Sequence, residues 1–409
     1  MIELIQIAFI SILAKILKFV FEIGTNFFVD KETYGSFALL LSYLFIYTKI
    51  ASFGLQNILI REFPKYKSYN FKSFLLFNAV SIVILVAIVT YIVLNFFIPL
   101  PIEIFIIGIS TALVILYSTY LRSIGKIKLW IYFQDINRYV FYLIGLTLLF
   151  LVCCHDISID VILNLLAFST LFSLILLLIV LKYKYNILLI SKISLQKIQY
   201  LYQHSFPILF TGLTYLIISR VDIIMLANYV DIKIVGEYNI VSRITLQVLF
   251  FNQVVISYYY PKLSKMFAQK TDFMTISKYN LKFVLISFFS TVLMVFILFI
   301  LINYYNFFDI LGIKHQNKLY IVFIILAFTQ IIYSAISFYG NILIYIHKQK
   351  IEYLNNVVIL FIAIGLNILL IPNYGVVGAA IGTSIALIIG NIMQMIEVKL
   401  YTKTCFILK

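Results

Sequence analysis

The sequence predicts an all-α polytopic membrane protein with about twelve transmembrane helices. Of its 409 residues, 63% are hydrophobic and only 11% are charged, and the mean hydropathy is +1.07. An ordinary soluble domain carries about a quarter charged residues. Apolar runs of about 20 residues, the length that crosses a hydrocarbon core ~30 Å thick, recur along the whole chain. Most of the basic residues lie in the connections between these runs.

Twelve apolar runs define the predicted spans. They cover residues 5–28, 34–57, 73–98, 102–121, 130–152, 159–181, 204–227, 236–260, 280–303, 319–346, 352–371 and 376–398. Glu3 stands where a cleaved signal peptide has a basic start, and Lys15 and Lys18 interrupt the first run. We therefore expect the first span to remain in the mature protein.

The basic residues of the connections alternate along the chain. The even-numbered connections and the C-terminal tail hold 21 lysines and arginines, whereas the odd-numbered connections hold only Lys31, Lys233, Lys314 and Lys318. Short cytoplasmic loops of membrane proteins are enriched in basic residues. The bias therefore predicts a multi-pass membrane protein with both termini in the cytoplasm.

The longest connection divides the chain. Residues 182–203 (KYKYNILLISKISLQKIQYLYQ) are basic and amphipathic, a composition typical of a helix on an anionic membrane surface. The predicted domains are an N-terminal six-helix bundle over residues 1–181, this cytoplasmic linker over 182–203, and a C-terminal six-helix bundle with a short tail over 204–409. The halves are similar: 33–66 can be laid over 234–263, so that Gly35 matches Gly236 and Pro64 matches Pro261. Such parallel repeats occur where two bundles surround a central site.

Composition and spacing argue against several functional classes. The net charge of +15 is spread over short loops and not gathered on a folded polar surface, so nucleic-acid binding is not expected. Cys153, Cys154, His155 and Asp156 are consecutive at a loop edge, and we predict no metal site there. The sequence has no phosphate-cradling loop for ATP. The outer loops are short, which leaves little room for an extracytoplasmic catalytic site. We expect a transporter without cofactors and not an enzyme.

Six basic residues lie inside the predicted spans, where a charged group costs from roughly 2.5 to more than 10 kcal/mol and normally faces a bundle interior or a wet cavity. Some of them form polar stripes at helical spacing: Lys15 and Lys18 with Glu22 in span 1, Lys49 with Ser42 and Gln56 in span 2, and Arg243 with Asn239 and Gln247 in span 8. Arg220 adds a cation in span 7. The predicted cavity residues that bind substrate are Lys15, Lys18, Lys49, Arg220, Arg243, Asn239 and Gln247.

Structural roles remain open for the same residues. Lys18 with Glu22, and Asp135 with Arg138, have the spacing of ion pairs that hold helices together. Arg220 and Asp222 are two residues apart and point to different faces of a continuous helix, so we do not expect them to neutralise each other. Arg220 and Arg243 are either cavity residues or part of the packing.

The residues also resemble a known family. The resemblance rests on the stretches ETYGSFALLLSY, ASFGLQNILIREFPKY, SRVDIIMLANYVDIKIVGEYNIVSRI, SYYYPKLSK and NILLIPNYGVVGAAIGTSIA, in this order. Together they resemble the polysaccharide-exporter branch, with the O-antigen flippases, of the multidrug, oligosaccharidyl-lipid and polysaccharide (MOP) flippase superfamily. The resemblance implies two six-helix bundles around a central cavity that move an undecaprenyl-pyrophosphate-linked oligosaccharide from the inner to the outer leaflet.

That implication suggests partners and a mechanism. The partners are the lipid-linked oligosaccharide, membrane lipids and, as a candidate, a polysaccharide polymerase. Counted from the span limits at ~1.5 Å per residue, Arg220 and Arg243 fall in the outer half of the membrane, Lys15 and Lys18 near its middle, and Lys49 in its inner half. We expect a pyrophosphate to move outward along this series of cations. The alternatives are a drug/cation antiporter of the same superfamily, which needs buried carboxylates, and a polytopic glycan polymerase.

Overall fold

The structure, a computed structural model, describes residues 2–66, 68–153, 157–187, 191–250, 273–346 and 348–402, together with six positions between 251 and 272 (Asn252, Val255, Tyr259, Leu263, Met266 and Gln269). Cys154, His155 and Asp156 lie outside the described residues, and so does Pro261 of the repeat. The chain divides into two compact units, Met1–Leu216 and Ile217–Lys409.

Helices form the first unit. They are α1 (Ile2–Gly24), α2 (Lys31–Ser52), α3 (Leu55–Glu62), α4 (Tyr69–Phe97), α5 (Ile102–Ser123), α6 (Ile127–Ile131), α7 (Asn137–Cys153), α8 (Ile159–Tyr185) and most of α9 (Leu195–Ile218). A π-helical segment, Tyr132–Ile136, joins α6 to α7. Two 3₁₀ turns follow α1 and α3, at Thr25–Phe27 and Phe63–Lys65.

The second unit is also built from helices. They are α10 (Val221–Leu226), α11 (Ile232–Gln247), α12 (Phe273–Tyr304), α13 (Phe307–Ile310), α14 (Gln316–Ile336), α15 (Phe338–Tyr345), α16 (Gln349–Tyr374) and α17 (Val376–Thr402). Eleven of the predicted spans coincide with one of these helices, or with consecutive short helices, and α11 covers the first part of span 8 (236–260), most of whose residues beyond 250 lie outside the described ranges. The residues that the structure describes include no β-strand.

Length and composition make this a multi-pass membrane protein. In the described part of the chain, nine helical stretches are long and apolar enough to cross a membrane. The all-α polytopic fold is confirmed. The limits of the bundles and the membrane-surface linker stay predictions: Lys182–Tyr185 extend α8, and α9 begins within the predicted linker, at Leu195.

The turn after α2 shows why this helix ends where it does. Phe53 and Gly54 both have positive φ, 51° and 68°, a left-handed conformation that stops an α-helix. Gly54 also lies against α9, because a Cβ atom there would be 3.1 Å from the backbone nitrogen of Leu209 and 3.2 Å from the carbonyl oxygen of Ser205. The glycine therefore serves both the turn and the close approach of α9.

Polar side chains join the helices of the first unit. Tyr47 of α2 donates to the carbonyl oxygen of Ala87 in α4 at 3.1 Å, and its ring covers Gly108 of α5. Ser110 of α5 donates to Thr170 of α8 at 2.9 Å. Small residues and hydroxyl groups let apolar helices approach closely in a membrane, where lipid offers no hydrophobic force for association.

Helices α16 and α17 form a tight hairpin in the second unit. Gly375 lies between them with φ +54°. A Cβ atom on Gly378 would be 2.3 Å from the carbonyl oxygen of Leu370, so the backbones approach closely at the start of α17. Helix α14 packs against α17, α12 and α11, and the short α10 packs against α16. Helix α10 therefore packs on this hairpin.

Candidate functional site

A cavity of about 190 Å³ lies inside the first unit. Its lining combines three cations with hydroxyl and amide groups from α2, α3, α5, α8 and the segment around the π-helix. The polar lining residues are Lys18, Thr48, Lys49, Ser52, Gln56, Thr111, Gln134, Arg138, Tyr139 and Thr170. A polar, basic chamber among membrane-spanning helices is a functional-site candidate by its composition.

Lys18 of α1 is the first cation. Its ammonium lies 4.0 Å from Glu22 Oε1, and it lies over the ring of Phe45 at 5.3 Å from the centroid. Half of the Lys18 side chain remains exposed. The two roles left open for Lys18 therefore coexist: it contacts Glu22 and lines the cavity. Lys15 has an exposed side chain one turn earlier, and it is not among the residues that line this cavity.

Lys49 of α2 is the second cation. Its side chain is partly buried, and within the described ranges neither a hydrogen bond nor a charged neighbour offsets that burial. Its aliphatic stem and ammonium lie against Gly212 of α9. A lysine ammonium is a strongly hydrated point charge, and its burial costs free energy unless an anion or water accepts hydrogen bonds from it. Lys49 is therefore a candidate anion-binding residue of this cavity.

Arg138 at the start of α7 is the third cation, and our sequence reasoning missed it as a cavity residue. Its guanidinium carbon lies 4.7 Å from the ring centroid of Tyr139, and Nη2 donates to the Tyr139 hydroxyl at 3.0 Å. Its Nε is buried without a hydrogen-bond partner in the part of the chain that the structure describes. Its position inside a predicted span could have indicated this role, but the sequence analysis interpreted Arg138 as the ion-pair partner of Asp135.

Two carboxylates moderate the positive charge. Asp135 interacts electrostatically with Arg138 and with Lys18, and Glu22 lies beside Lys18. The π-helical segment places Asp135 and Gln134 here, since it inserts extra backbone just before α7. Gln134 Oε1 accepts hydrogen bonds from Trp130 Nε1 at 2.6 Å and Ser118 at 3.3 Å. These hydrogen bonds hold Gln134, and with it the part of the cavity lining next to Arg138, in place.

A second polar group lies in the other unit. Asp222 of α10 is buried and accepts a 2.7 Å hydrogen bond from the hydroxyl of Tyr238 in α11. Arg243 is 8% exposed and donates from Nε to Asn239 Oδ1 at 3.2 Å and from Nη2 to the Ser219 carbonyl oxygen at 3.4 Å. The carboxylate of Asp222 interacts electrostatically with Arg243 and Arg220. We call Arg220, Asp222, Tyr238, Asn239 and Arg243 the buried arginine network.

The network differs from our expectation for Arg220 and Asp222. The helix is not continuous there, since α9 ends at Ile218, Ser219 and Arg220 form a turn, and α10 begins at Val221. The break removes the regular helical offset between the two side chains. Arg220 is 5% exposed. Gln247, at the end of α11, is half-buried. The structure thus brings Asn239 to Arg243 and places the Asp222 carboxylate where it interacts with both arginines.

The comparisons with known proteins agree with this architecture. Residues 3–267 match the family described as "Polysaccharide biosynthesis protein". The chain belongs to this family. A comparison with curated protein sequences gave no match.

Solved structures share the fold at low sequence identity. The lipid II flippase MurJ in an inward closed conformation has a TM-score of 0.74 and 17% identity, covering 97% of this chain and 87% of that one. An inward-facing multidrug resistance MATE family transporter of the MOP superfamily has a TM-score of 0.67 and 12% identity, covering 96% of each chain. The bent form of the Vibrio cholerae MATE transporter VcmN has a TM-score of 0.60 and 13% identity, covering 99% and 98%. The chain therefore shares the fold of these flippase and transporter structures.

Proposed function

We propose that the protein moves an undecaprenyl-pyrophosphate-linked oligosaccharide, an O-antigen or another surface polysaccharide repeat unit, from the inner to the outer leaflet of the bacterial cytoplasmic membrane. The observation that carries this proposal is the environment of Lys49. The lysine is partly buried in the cavity, and among the described residues no carboxylate neutralises it. A transporter that held only neutral or cationic cargo would have little use for such a group.

The three cations of the cavity are opposite in charge to a pyrophosphate. Lys18 and Lys49 come from α1 and α2, and Arg138 comes from the start of α7, so that different helices converge on one chamber. A guanidinium presents a planar fork of donors that fits phosphate oxygens. Asp135 and Glu22 keep the net charge low, which reduces the cost of holding these cations before substrate arrives.

The remaining lining suits the sugar part of the same substrate. Gln56 Oε1 is buried and has no hydrogen-bond partner in the described ranges, so it is available to a sugar hydroxyl. Thr48 and Thr111 add hydroxyl groups. The sugars are too polar to cross lipid alone, whereas the polyprenyl tail remains in the bilayer. A polar chamber between membrane-spanning helices therefore needs to accommodate only the pyrophosphate and the sugars.

Transport would start from this cavity. An inside-negative membrane potential favours outward movement of an anion by roughly 2.3 kcal/mol per charge per 100 mV if the full field is crossed. In the cation series predicted from the sequence, the pyrophosphate passes from the lysines to Arg220 and Arg243. The burial of these arginines around Asp222 favours a structural role instead. Lys18 and Lys49 are thus the proposed pyrophosphate ligands, and Arg243→Ala tests the arginine part of the series.

Two further features belong to the proposal. The loop charges place both termini in the cytoplasm, so the basic ends of α3 and α8 face the inner leaflet. A polysaccharide polymerase that uses the flipped repeat units on the outer side is the expected protein partner.

The experiment is a comparison of Lys49→Ala with Lys184→Ala in cells that lack the chromosomal copy. Lys184 is an exposed lysine in the last turn of α8, so it controls for the loss of one positive charge. We expect complete lipid-linked units to accumulate on the inner leaflet with Lys49→Ala and not with Lys184→Ala, at equal protein abundance. Normal surface polysaccharide with Lys49→Ala would contradict the proposal. Incomplete units in the deletion strain would point to a transferase.

An ion-coupled antiporter is the second candidate, because the structure holds buried carboxylates that such a transporter needs. Asp222 is one of them. Glu352 and Glu397, also in the second unit, are partly buried. Glu352 Oε1 accepts hydrogen bonds from Gln394 at 3.2 Å and Asn356 at 3.3 Å, and Glu397 Oε2 accepts one from Asn355 at 2.5 Å. Drug sensitivity of the deletion strain with intact surface polysaccharide would favour the antiporter.

A further inference from the structure

Gly212 in α9 lies directly beneath the side chain of Lys49. A Cβ atom at position 212 would be 2.5 Å from Lys49 Cε and 2.6 Å from Lys49 Nζ. Cβ atoms in proteins essentially never approach another heavy atom closer than 3.0 Å. The position of the ammonium therefore requires that residue 212 have no side chain.

The backbone gives no other reason for this glycine. Gly212 is inside α9, and its φ is not in the left-handed region, unlike those of Gly54, Gly125, Gly312 and Gly375. A glycine inside a helix is less favourable than alanine by roughly 0.5–1 kcal/mol. Helix geometry alone would accept alanine here.

The approach of α9 to α2 is fixed independently one turn earlier. Gly54, at the end of α2, lies against the backbone of Ser205 and Leu209 in α9. Gly212 follows Leu209 by three residues, so it lies on the same side of α9. Lys49 is in the last turn of α2, five residues before Gly54. The two glycines thus set a narrow space between these helices, and the Lys49 side chain occupies it.

We propose that Gly212 is a positioning residue for Lys49: it leaves the space in which the lysine stem lies against α9, and so holds the ammonium at the cavity to meet the anionic part of the substrate. This inference rests on the proposed function. A long lysine side chain in a membrane protein tends to extend toward water at the interface. The narrow space next to Gly212 opposes that movement.

A methyl group at position 212 should move the lysine and not the fold. The atoms that it would meet are the far end of a flexible side chain, which can rotate away. Coulomb's law at an effective dielectric constant of about 20 gives a loss of affinity on the order of tenfold when an ammonium moves from ~4 to ~6.5 Å from a phosphate oxygen. Weaker binding of the anion is therefore the expected defect.

The test compares Gly212→Ala with Gly365→Ala, both alone and in a Lys49→Ala background. Gly365 is inside α16, and a Cβ atom there would have no neighbour within 4 Å. We expect Gly212→Ala to lower transport toward the level of Lys49→Ala, with abundance equal to that of Gly365→Ala. Purified Gly212→Ala protein should bind undecaprenyl pyrophosphate, used as the probe, on the order of tenfold more weakly. In the Lys49→Ala background the glycine substitution should add nothing, because its effect passes through Lys49.

Three outcomes would overturn the inference: wild-type transport by Gly212→Ala, an equal loss in both backgrounds, or lower abundance than for Gly365→Ala. The failure of the proposed function is a different result, because Lys49→Ala would then itself transport normally. If Lys49→Ala loses transport and Gly212→Ala does not, only the role of Gly212 is wrong.

Discussion

The hydroxyl of Tyr238 donates a 2.7 Å hydrogen bond to Asp222 Oδ2 and thereby ties α11 to α10. The same carboxylate interacts with Arg243 and Arg220 and accepts from the backbone nitrogen of Ile223 at 2.8 Å. A buried charge is tolerated when it is both paired and hydrogen-bonded. The relationship makes Asp222 the centre of the buried arginine network.

The first prediction concerns Arg243→Ala. Removing one partner of a buried ion pair leaves the other charge uncompensated, at a cost of about 3–5 kcal/mol. We expect the folded, membrane-inserted protein to fall in abundance, and Asp222→Asn to restore part of it in the double variant. Quantitative immunoblotting and thermal unfolding of purified protein measure both effects. Wild-type abundance with loss of export would instead support the substrate role predicted from the sequence.

The second prediction concerns Arg138→Ala. Because Arg138 lines the cavity and its Nε has no partner among the described residues, we expect export to fall without loss of protein. Arg122→Ala is the matched control, since Arg122 also stacks on an aromatic ring, at 4.5 Å from Trp130, and does not line this cavity. Arg138→Lys should retain part of the export, because charge remains and the fork is lost. Equal export by the two alanine variants would assign Arg138 to packing.

The third prediction concerns topology. Cysteines introduced at Lys192 and Asp309 should react with impermeant reagents from the cytoplasmic and the external side, respectively, as the loop charges require. The positions Lys67, Asp156 and Lys270 lie outside the described residues, and the same charge pattern predicts cytoplasmic, external and cytoplasmic labelling for them. External labelling at Lys192 would contradict the topology and the direction of transport built on it.

The fourth prediction concerns the cap of α2. Asp30 Oδ2 accepts from the backbone nitrogens of Glu32 at 3.0 Å and Thr33 at 3.3 Å. Burial opposes the ionised form, but the hydrogen bonds from Thr33 and Glu32 outweigh it and hold the pKa of Asp30 below its usual value. Asp30→Ala should destabilise the protein by about 0.5–2 kcal/mol, measured by unfolding near pH 7.

The pH dependence of this cap follows from the lowered pKa. The ionised group contributes its stability above the ordinary aspartate pKa of about 3.9, and the contribution disappears as the pH falls through the lower folded value. The difference between wild type and Asp30→Ala should therefore shrink below about pH 4. An unchanged difference at low pH would show that the hydrogen bonds do not depend on the charge.

The span count and the helix positions depended on local properties, so the sequence alone was enough for them. Apolar runs long enough to cross the membrane must be helical, since lipid offers no partner for backbone groups. The sequence stretches that resemble the family and the charges of the loops are likewise properties of short segments of the chain. The sequence also predicted Lys18 and Lys49 as cavity residues. A charge inside an apolar run needs polar surroundings, and this holds for any helix that provides them.

Only the tertiary structure decided which charges meet. The π-helical segment directs Arg138 toward the cavity. The interaction between Arg220 and Asp222 depends on the helix break at Ser219. The hydropathy pattern shows neither of these two irregularities. Gly212 acquires its importance from a side chain 163 positions earlier in the chain, which α2 and α9 bring within contact. Spacing along one helix predicts its faces, whereas contacts between helices depend on packing, which the sequence of one span does not contain.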